Sequence, residues 1–223
     1  MMQGVVKSTF PVLFGYIPLG IAFGMLFQDL GYPWYLATLM AFFVYAGTAQ
    51  FMIVGLLAAG VGLTEIAIST FLINSRHIFY GLSMLNSYGD WGLKKIYLAF
   101  GLTDETYSLV TTIDLKDDTA KERQFFIITA LNHSYWVISC TIGAVIGSSF
   151  SINTQGMEFT LTALFVVLVI EQWKQIRKPL PFVIAAFSSI VALYLFSDQM
   201  LLGSIALSVT LLIITNFLEN RHE

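Results

Sequence analysis

Residues 30–64 read LGYPWYLATLMAFFVYAGTAQFMIVGLLAAGVGLT, thirty-five consecutive positions without Asp, Glu, Lys or Arg. About 20 apolar residues suffice for a helix to cross the hydrocarbon of a bilayer, so this stretch holds one whole span and the start of another. It reads as a helix over 34–59, a turn at Gly60-Val61-Gly62 and a new helix from Leu63. Four further uncharged intervals, 8–28, 124–157, 179–197 and 199–218, each hold at least one span. Working outward, the spans fall in 8–28, then over 34–59, 63–85, 93–112, 125–148, 159–173, 181–196 and 200–217. The fourth requires that Asp104 and Glu105 be tolerated at depth. The expected fold is an all-α polytopic transmembrane helix bundle of about six to eight spans.

Composition agrees with this reading. The 223-residue chain is 57% hydrophobic and 11% charged, with mean hydropathy +0.76, whereas a soluble domain carries roughly a quarter charged residues. A soluble enzyme is excluded. A net charge of −3 leaves no basic stripe for a nucleic-acid backbone. Cys140 is the single cysteine, so neither an intrachain disulfide nor a cysteine-based metal cluster is available. The apolar runs lack the polar alternation of a transmembrane β-barrel.

Lys116, Lys121 and Arg123, then Lys174, Arg177 and Lys178, then Arg221 hold most of the cations, while the connections at Asp29, 147–158 and Asp198 hold none. Cytoplasmic loops collect Lys and Arg, which puts both termini in the cytoplasm, with an uncleaved first span as the insertion signal. Lys94 and Lys95 break the rule under this count, a sign that the third or fourth segment is broken or re-entrant. The charge-dense run 114–123 reads as a solvated loop. Halves 8–86 and 94–174 each read as three spans, the odd number that inverts one half against the other, with two terminal helices over 180–218 completing a single integral membrane domain, 1–223.

Several polar or helix-distorting residues fall inside these spans. The first carries Pro11, Gly15, Pro18, Gly20 and Gly24. Gly20 with Gly24, like Gly143 with Gly147, is a small-xxx-small pair suited to close helix contact; a discontinuous helix lining a cavity is the other reading. Tyr45-Ala-Gly47-Thr-Ala-Gln50-Phe51 puts an amide among small residues at mid-span, where it needs either a helix-to-helix bond or a polar cavity. Asn74-Ser-Arg76-His77 holds an arginine that is costly in lipid without an anion or water, and Asp104 and Glu105 are its candidate partners. Those two acids border a helical stripe of Gly101, Ser108 and Thr111, and neighbouring carboxylates repel, so that one of them takes a proton more readily. Thr129, Asn132, Trp136 and Ser139 form a similar stripe beside His133, itself either a hydrogen-bonding residue or a proton relay. No spacing characteristic of a zinc site is present, so no metal and no cofactor are expected.

Taken together, the block Phe10 to Gly24, Tyr45-Ala-Gly-Thr-Ala-Gln-Phe51, Asn74-Ser-Arg-His-Ile-Phe-Tyr-Gly-Leu-Ser83, Leu102-Thr-Asp-Glu-Thr-Tyr107 and Gly156-Met-Glu-Phe-Thr-Leu-Thr-Ala-Leu-Phe165 resemble the AzlC family, the large subunit of bacterial branched-chain amino acid exporters. Met157-Glu158-Phe159 stands where the family often shows Leu-Asp-Phe and keeps the acid. The resemblance implies export of Leu, Ile, Val and often Met, together with a small hydrophobic AzlD-like subunit. The chain lacks a phosphate-binding G-x-x-x-x-G-K-[ST] loop, so it does not itself draw on ATP.

A zwitterionic substrate sets the expected roles. Arg76 or the N–H groups of a broken helix take the carboxylate, Asp104 or Glu105 the ammonium, with Asp104 favoured, and Tyr16, Phe51 and Tyr107 the aliphatic chain, with Gln50 and Asn74 beside them. Glu105, with His133, is the candidate proton-coupling group. Pro18, Gly20, Gly24 and Gly47 are assigned to helix breaks or packing. The alternatives are a passive channel or scaffold subunit, and a membrane-embedded enzyme, which a chemically altered product would reveal.

Overall fold

The computed structural model describes residues 2–84, 87–89, 91–113, 117–149, 166, 169–170, 173–174, 177–196 and 200–219, with backbone alone at 2–4, 76, 201–202, 216 and 218–219. Among these residues the regular elements are helices: α1 (Met2–Asp29), α2 (Trp34–Phe43), α3 (Gly47–Ala58), α4 (Leu63–Asn74), α5 (Arg76–Met84), α6 (Leu93–Phe100), α7 (Asp104–Thr111), α8 (Asp118–Ser149), α9 (Pro179–Leu195) and α10 (Met200–Glu219). Most of the span expected over 159–173, the acid Glu158 and the centre of the charged loop at 114–116 lie outside the described residues.

The chain divides into two compact units, 1–61 with 70–161, and 62–69 with 162–223. In the second, α9 packs along α10 and buries Ile184, Ser188 and Ala192. The first unit holds the features developed below.

Large apolar side chains cover the outer surface while several polar ones are buried within the apolar interior. Phe14 and Phe43 are 71% and 67% exposed, whereas Thr9, Gln50, Thr106, Thr129 and Asn132 are buried. In water such an exposed apolar surface is an aggregation liability; against lipid it is the solvated face. Among the described residues two helices are long and apolar enough to cross a membrane, Val5–Asp29 and Asp118–Ser149.

Those two helices, α1 and α8, form the frame. Val5 shares a cluster with Phe125 and Ile128, Gly20 lies on Ser139, Gly24 on Cys140 and Ala144, and Gly147 on Gln28. The contacts climb both sequences together, so the helices run parallel. A Cβ on Gly24 would land on the backbone of Cys140, Gly143 and Ala144, and one on Gly143 on the backbone of Ile21. This approach is possible only because neither position has a side chain. Helix α1 runs through Pro11 and Pro18 without interruption, and the reading of a discontinuous first helix does not hold.

The interruptions lie elsewhere. The span drawn over 34–59 is two helices, α2 and α3, separated at Tyr45 (φ +42°) and Ala46 (φ −141°). At about 15 and 18 Å, each is shorter than the hydrocarbon core. The span drawn over 63–85 divides at Ser75, whose N–H and hydroxyl both return to the carbonyl of Leu72.

The span drawn over 93–112 does not cross at all. Near its start, Trp91 Nε1 donates to Asp118 Oδ2 (3.0 Å) and Lys94 pairs with Glu122 (2.6 Å), both at the beginning of α8. Helix α6 then descends until Gly101 meets Thr129, the chain breaks at 101–103, and Thr106 bonds Asn132. Helix α7 returns, because Val110 rejoins the cluster of Val5, Trp91 and Phe125. Helices α6 and α7, eight residues each and about 12 Å long, form a re-entrant hairpin. Its tip reaches Thr129–His133, about 16 to 22 Å along α8 from Asp118, near the middle of that 32-residue helix. Lys94 and Lys95 therefore sit at the same end of the unit as Lys7, Lys121 and Arg123, and the exception to the positive-inside pattern disappears.

Candidate functional site

Two of the three interruptions, at Tyr45 and at 101–103, arrive at the same level of α8. When α2 stops before Tyr45, its last carbonyls lose their helical partners. One of them, Phe42 C=O, accepts instead from His133 Nε2 (3.2 Å). A carbonyl only accepts, so Nε2 carries the hydrogen, and in the neutral ring Nδ1 is left to accept from Tyr97 Oη (3.2 Å). The imidazole is enclosed by Tyr45, 4.4 Å between centroids, Phe42 at 5.0 Å and Phe100 at 5.8 Å. These ring contacts hold Tyr45 in a left-handed conformation that costs a residue with a Cβ about 1–3 kcal/mol. His133→Leu is expected to destabilise the protein by about 1–3 kcal/mol, the penalty for leaving a carbonyl without a donor where water does not reach it, while His133→Gln recovers part of it by restoring a donor. Thermal unfolding of the detergent-purified variants checks this, and equal midpoints for wild type and His133→Leu would dismiss the cap.

Helix α7 starts with a side-chain cap. Thr103 Oγ1 accepts from the N–H of Thr106 (3.3 Å), and Asp104 and Glu105 occupy the first turn, where the helix dipole favours negative charge. Tyr16, from α1, bonds Thr103 Oγ1 (3.0 Å) and donates to Glu105 Oε2 (2.8 Å). Thr103 and Thr106 are linked at 3.1 Å, and Asn132 Nδ2 donates to Thr106 Oγ1 (3.0 Å). A polar chain thus runs from the middle of α8 to the acids of α7, closed to lipid by α1. Asp104 is half-buried, and Glu105 remains exposed beyond its bond to Tyr16.

Helix α3 begins differently, without a capping side chain or an acid in its first turn. Trp136 covers that turn: its ring lies against Gly47 and its Nε1 donates to Gln50 Oε1 (2.8 Å). Tyr16 meets the Trp136 ring edge to face at 5.2 Å, and Phe23 contacts both Phe51 (5.9 Å) and Trp136 (6.5 Å). Tyr16 and Trp136 therefore bridge the starts of α3 and α7. Three buried groups here still lack a hydrogen bond: Gln50 Nε2, Asn132 Oδ1 and Tyr45 Oη. The Tyr45 hydroxyl lies near Tyr16 and Thr106 without an aligned bond to either. Unpaired buried polar atoms are rare enough to suggest a ligand or water.

The structure gathers Tyr16, Gly47, Gln50, Phe51, Asp104, Glu105 and His133 of the residues singled out from the sequence, and leaves others apart. Tyr107 stacks on Tyr80 (4.7 Å) and accepts from Ser83 Oγ (3.1 Å). Asn74 ends α4, where its carbonyl accepts from His77 Nδ1 (3.1 Å). Pro18 is on the exposed side of α1, and Gly20 and Gly24 serve the contact with α8. The Arg76 side chain, and with it any pairing to Asp104 or Glu105, lies outside the described residues. Tyr45, Thr103, Thr106, Asn132 and Trp136 were not singled out as site residues. Thr103 before two acids is a helix-start signal that could have been used, and Asn132 and Trp136 share the recognised polar stripe; nothing local marks Tyr45.

A family profile described as AzlC protein matches residues 11–150, more than half of the chain. The chain belongs to the AzlC family. It is 36% identical over 191 residues to the branched-chain amino acid transport protein AzlC of Bacillus subtilis, covering 86% of this chain and 75% of that one. An uncharacterized membrane protein of Helicobacter pylori is 38% identical over 197 residues, 86% of each chain. The inner membrane protein YgaZ of Escherichia coli is 29% identical over 203 residues, 88% of this chain and 82% of its own. No solved structure matches. This AzlC-family chain is a membrane protein, and the two interruptions that meet at α8 fall within the stretch that the profile matches.

Proposed function

We propose that this chain is a secondary transporter, not an enzyme, that exports branched-chain amino acids (Leu, Ile and Val, with Met) across a bacterial inner membrane, coupled to protons. The observation that carries the reading is the meeting of two interrupted helices at mid-length of α8 around buried polar groups. Transporters place substrate sites at such half-helix ends near the bilayer midplane. A relative named for branched-chain amino acid transport, with which most of the chain aligns, supports the substrate class.

Lys7, Lys94, Lys95, Lys121 and Arg123 at one end of the first unit support the orientation: that end faces the cytoplasm, and so do both termini. Glu105 is the proton carrier and Asp104 the partner of the substrate ammonium. Efflux of radiolabelled valine or leucine from cells with and without the gene tests the function, and identical rates count against it.

A small hydrophobic AzlD-like subunit completes the transporter. Expression of this chain alone should give partial export, and co-expression with the subunit should restore the full rate. Undiminished export by the single chain would remove the partner from the proposal.

A further inference from the structure

The starts of α3 and α7 offer opposite chemistry to whatever lies between them. At α7 the dipole's positive end is already answered by Thr103 and the two acids. At α3 no side chain does so, and the first N–H groups of a helix have no intrahelical acceptors. The buried polar atoms around this start also lack partners, as expected of groups that meet a ligand. Gln50 is wholly buried, its oxygen is taken by Trp136, and its Nε2 is an unused donor. Helical side chains lean toward the N-terminus, and Trp136 touches both Gly47 and Gln50, so this amide lies along the first turn of α3. On the other side, Asn132 is wholly buried with Nδ2 spent on Thr106, and its Oδ1 is an unused acceptor close to the turn that carries Asp104 and Glu105.

We propose that the start of α3, with Gln50 Nε2, receives the carboxylate of an α-amino acid, while Asn132 Oδ1 and Asp104 receive its ammonium. The inference rests on the transport reading and adds the orientation of the substrate, with the carboxylate held by backbone and amide donors in place of Arg76. Trp136 and Tyr16 span the distance between the two ends and separate the unlike charges from lipid. Phe23 and Phe51, in ring contact with each other beside Trp136, supply apolar surface for a branched side chain.

The test uses the full chain in proteoliposomes, with its partner subunit where export requires it. Three probes compete for uptake: L-leucine, L-leucinamide, which lacks the carboxylate, and 4-methylpentanoate, which lacks the ammonium. Gln50→Glu puts an anion where the carboxylate should sit. It is expected to weaken leucine by about tenfold or more, the range for losing a hydrogen bond to a charged group, while leucinamide is held or improved, so that the leucine-to-leucinamide ratio inverts. Asn132→Leu should weaken leucinamide and spare 4-methylpentanoate. Should Gln50→Glu not accumulate, Gln50→Met, similar in shape and without the donor, is read by the same ratio. A ratio unchanged from wild type in the Gln50 variant overturns the orientation while leaving the transport reading intact. Wild-type protein that takes no leucine overturns both.

Discussion

Gly24→Ala and Gly143→Ala are expected to deplete the folded protein, whereas Gly15→Ala, on the same helix as Gly24, leaves it unchanged or raises its stability. The added methyl is identical in all three; what it meets differs. At Gly15 nothing lies within 4 Å of the new carbon, whereas at Gly24 it falls on the backbone of Cys140 and Ala144, and at Gly143 on that of Ile21. A side chain can rotate away from an intruder, but a helix backbone moves only as a unit. The cost should therefore reach the upper end of the range for overpacking, about 3 kcal/mol. At Gly15 the exchange gains up to about 1 kcal/mol of helix propensity. Monodisperse yield and unfolding temperature in detergent read the difference. Similar behaviour of all three variants would mean that α1 and α8 do not approach as closely as described.

Glu105→Gln is expected to abolish export against a gradient while leaving exchange at equal substrate concentrations, since exchange requires binding but no net proton movement. The variant is suited to separate these functions because glutamine keeps the shape of the side chain and can still accept from Tyr16 Oη, the bond that ties α1 to α7. The Thr103 cap is untouched, so α7 should start where it does in the wild type. Loss of exchange together with export would place Glu105 in substrate binding. If the variant still concentrates substrate under an imposed pH gradient, Glu105 is not the coupling group, and Asp104 or His133 takes its place.

Much of this was legible before any fold was known. The amide at Gln50, the adjacent acids at Asp104 and Glu105, and His133 stood out because hydrocarbon does not solvate them, and each proves to sit at the convergence of the broken helices. Lys94 and Lys95 were anomalous under eight crossings, and the anomaly located the segment that turns back. Tyr107 and Asn74 were misleading for one reason: neighbours in sequence point in different directions around a helix, and the tertiary fold chooses which direction is inward.

The uncharged runs by themselves determined that the chain is a bundle of membrane helices, because the free energy of transferring a charge into hydrocarbon is large and local, summed residue by residue along the sequence. They did not determine where those helices stop. The prolines of α1 suggested a break at Pro18, yet that helix is continuous and packed glycine to backbone against α8. The chain breaks instead at Tyr45, which has no local reason to do so, because the rings around His133 hold it and the imidazole satisfies the carbonyl that the break exposes. Helix α7 likewise turns back at Thr103 because its polar face finds partners in Tyr16 and Asn132. Tertiary structure decided these points since an exposed backbone group at membrane depth is tolerated only where another part of the protein supplies its partner.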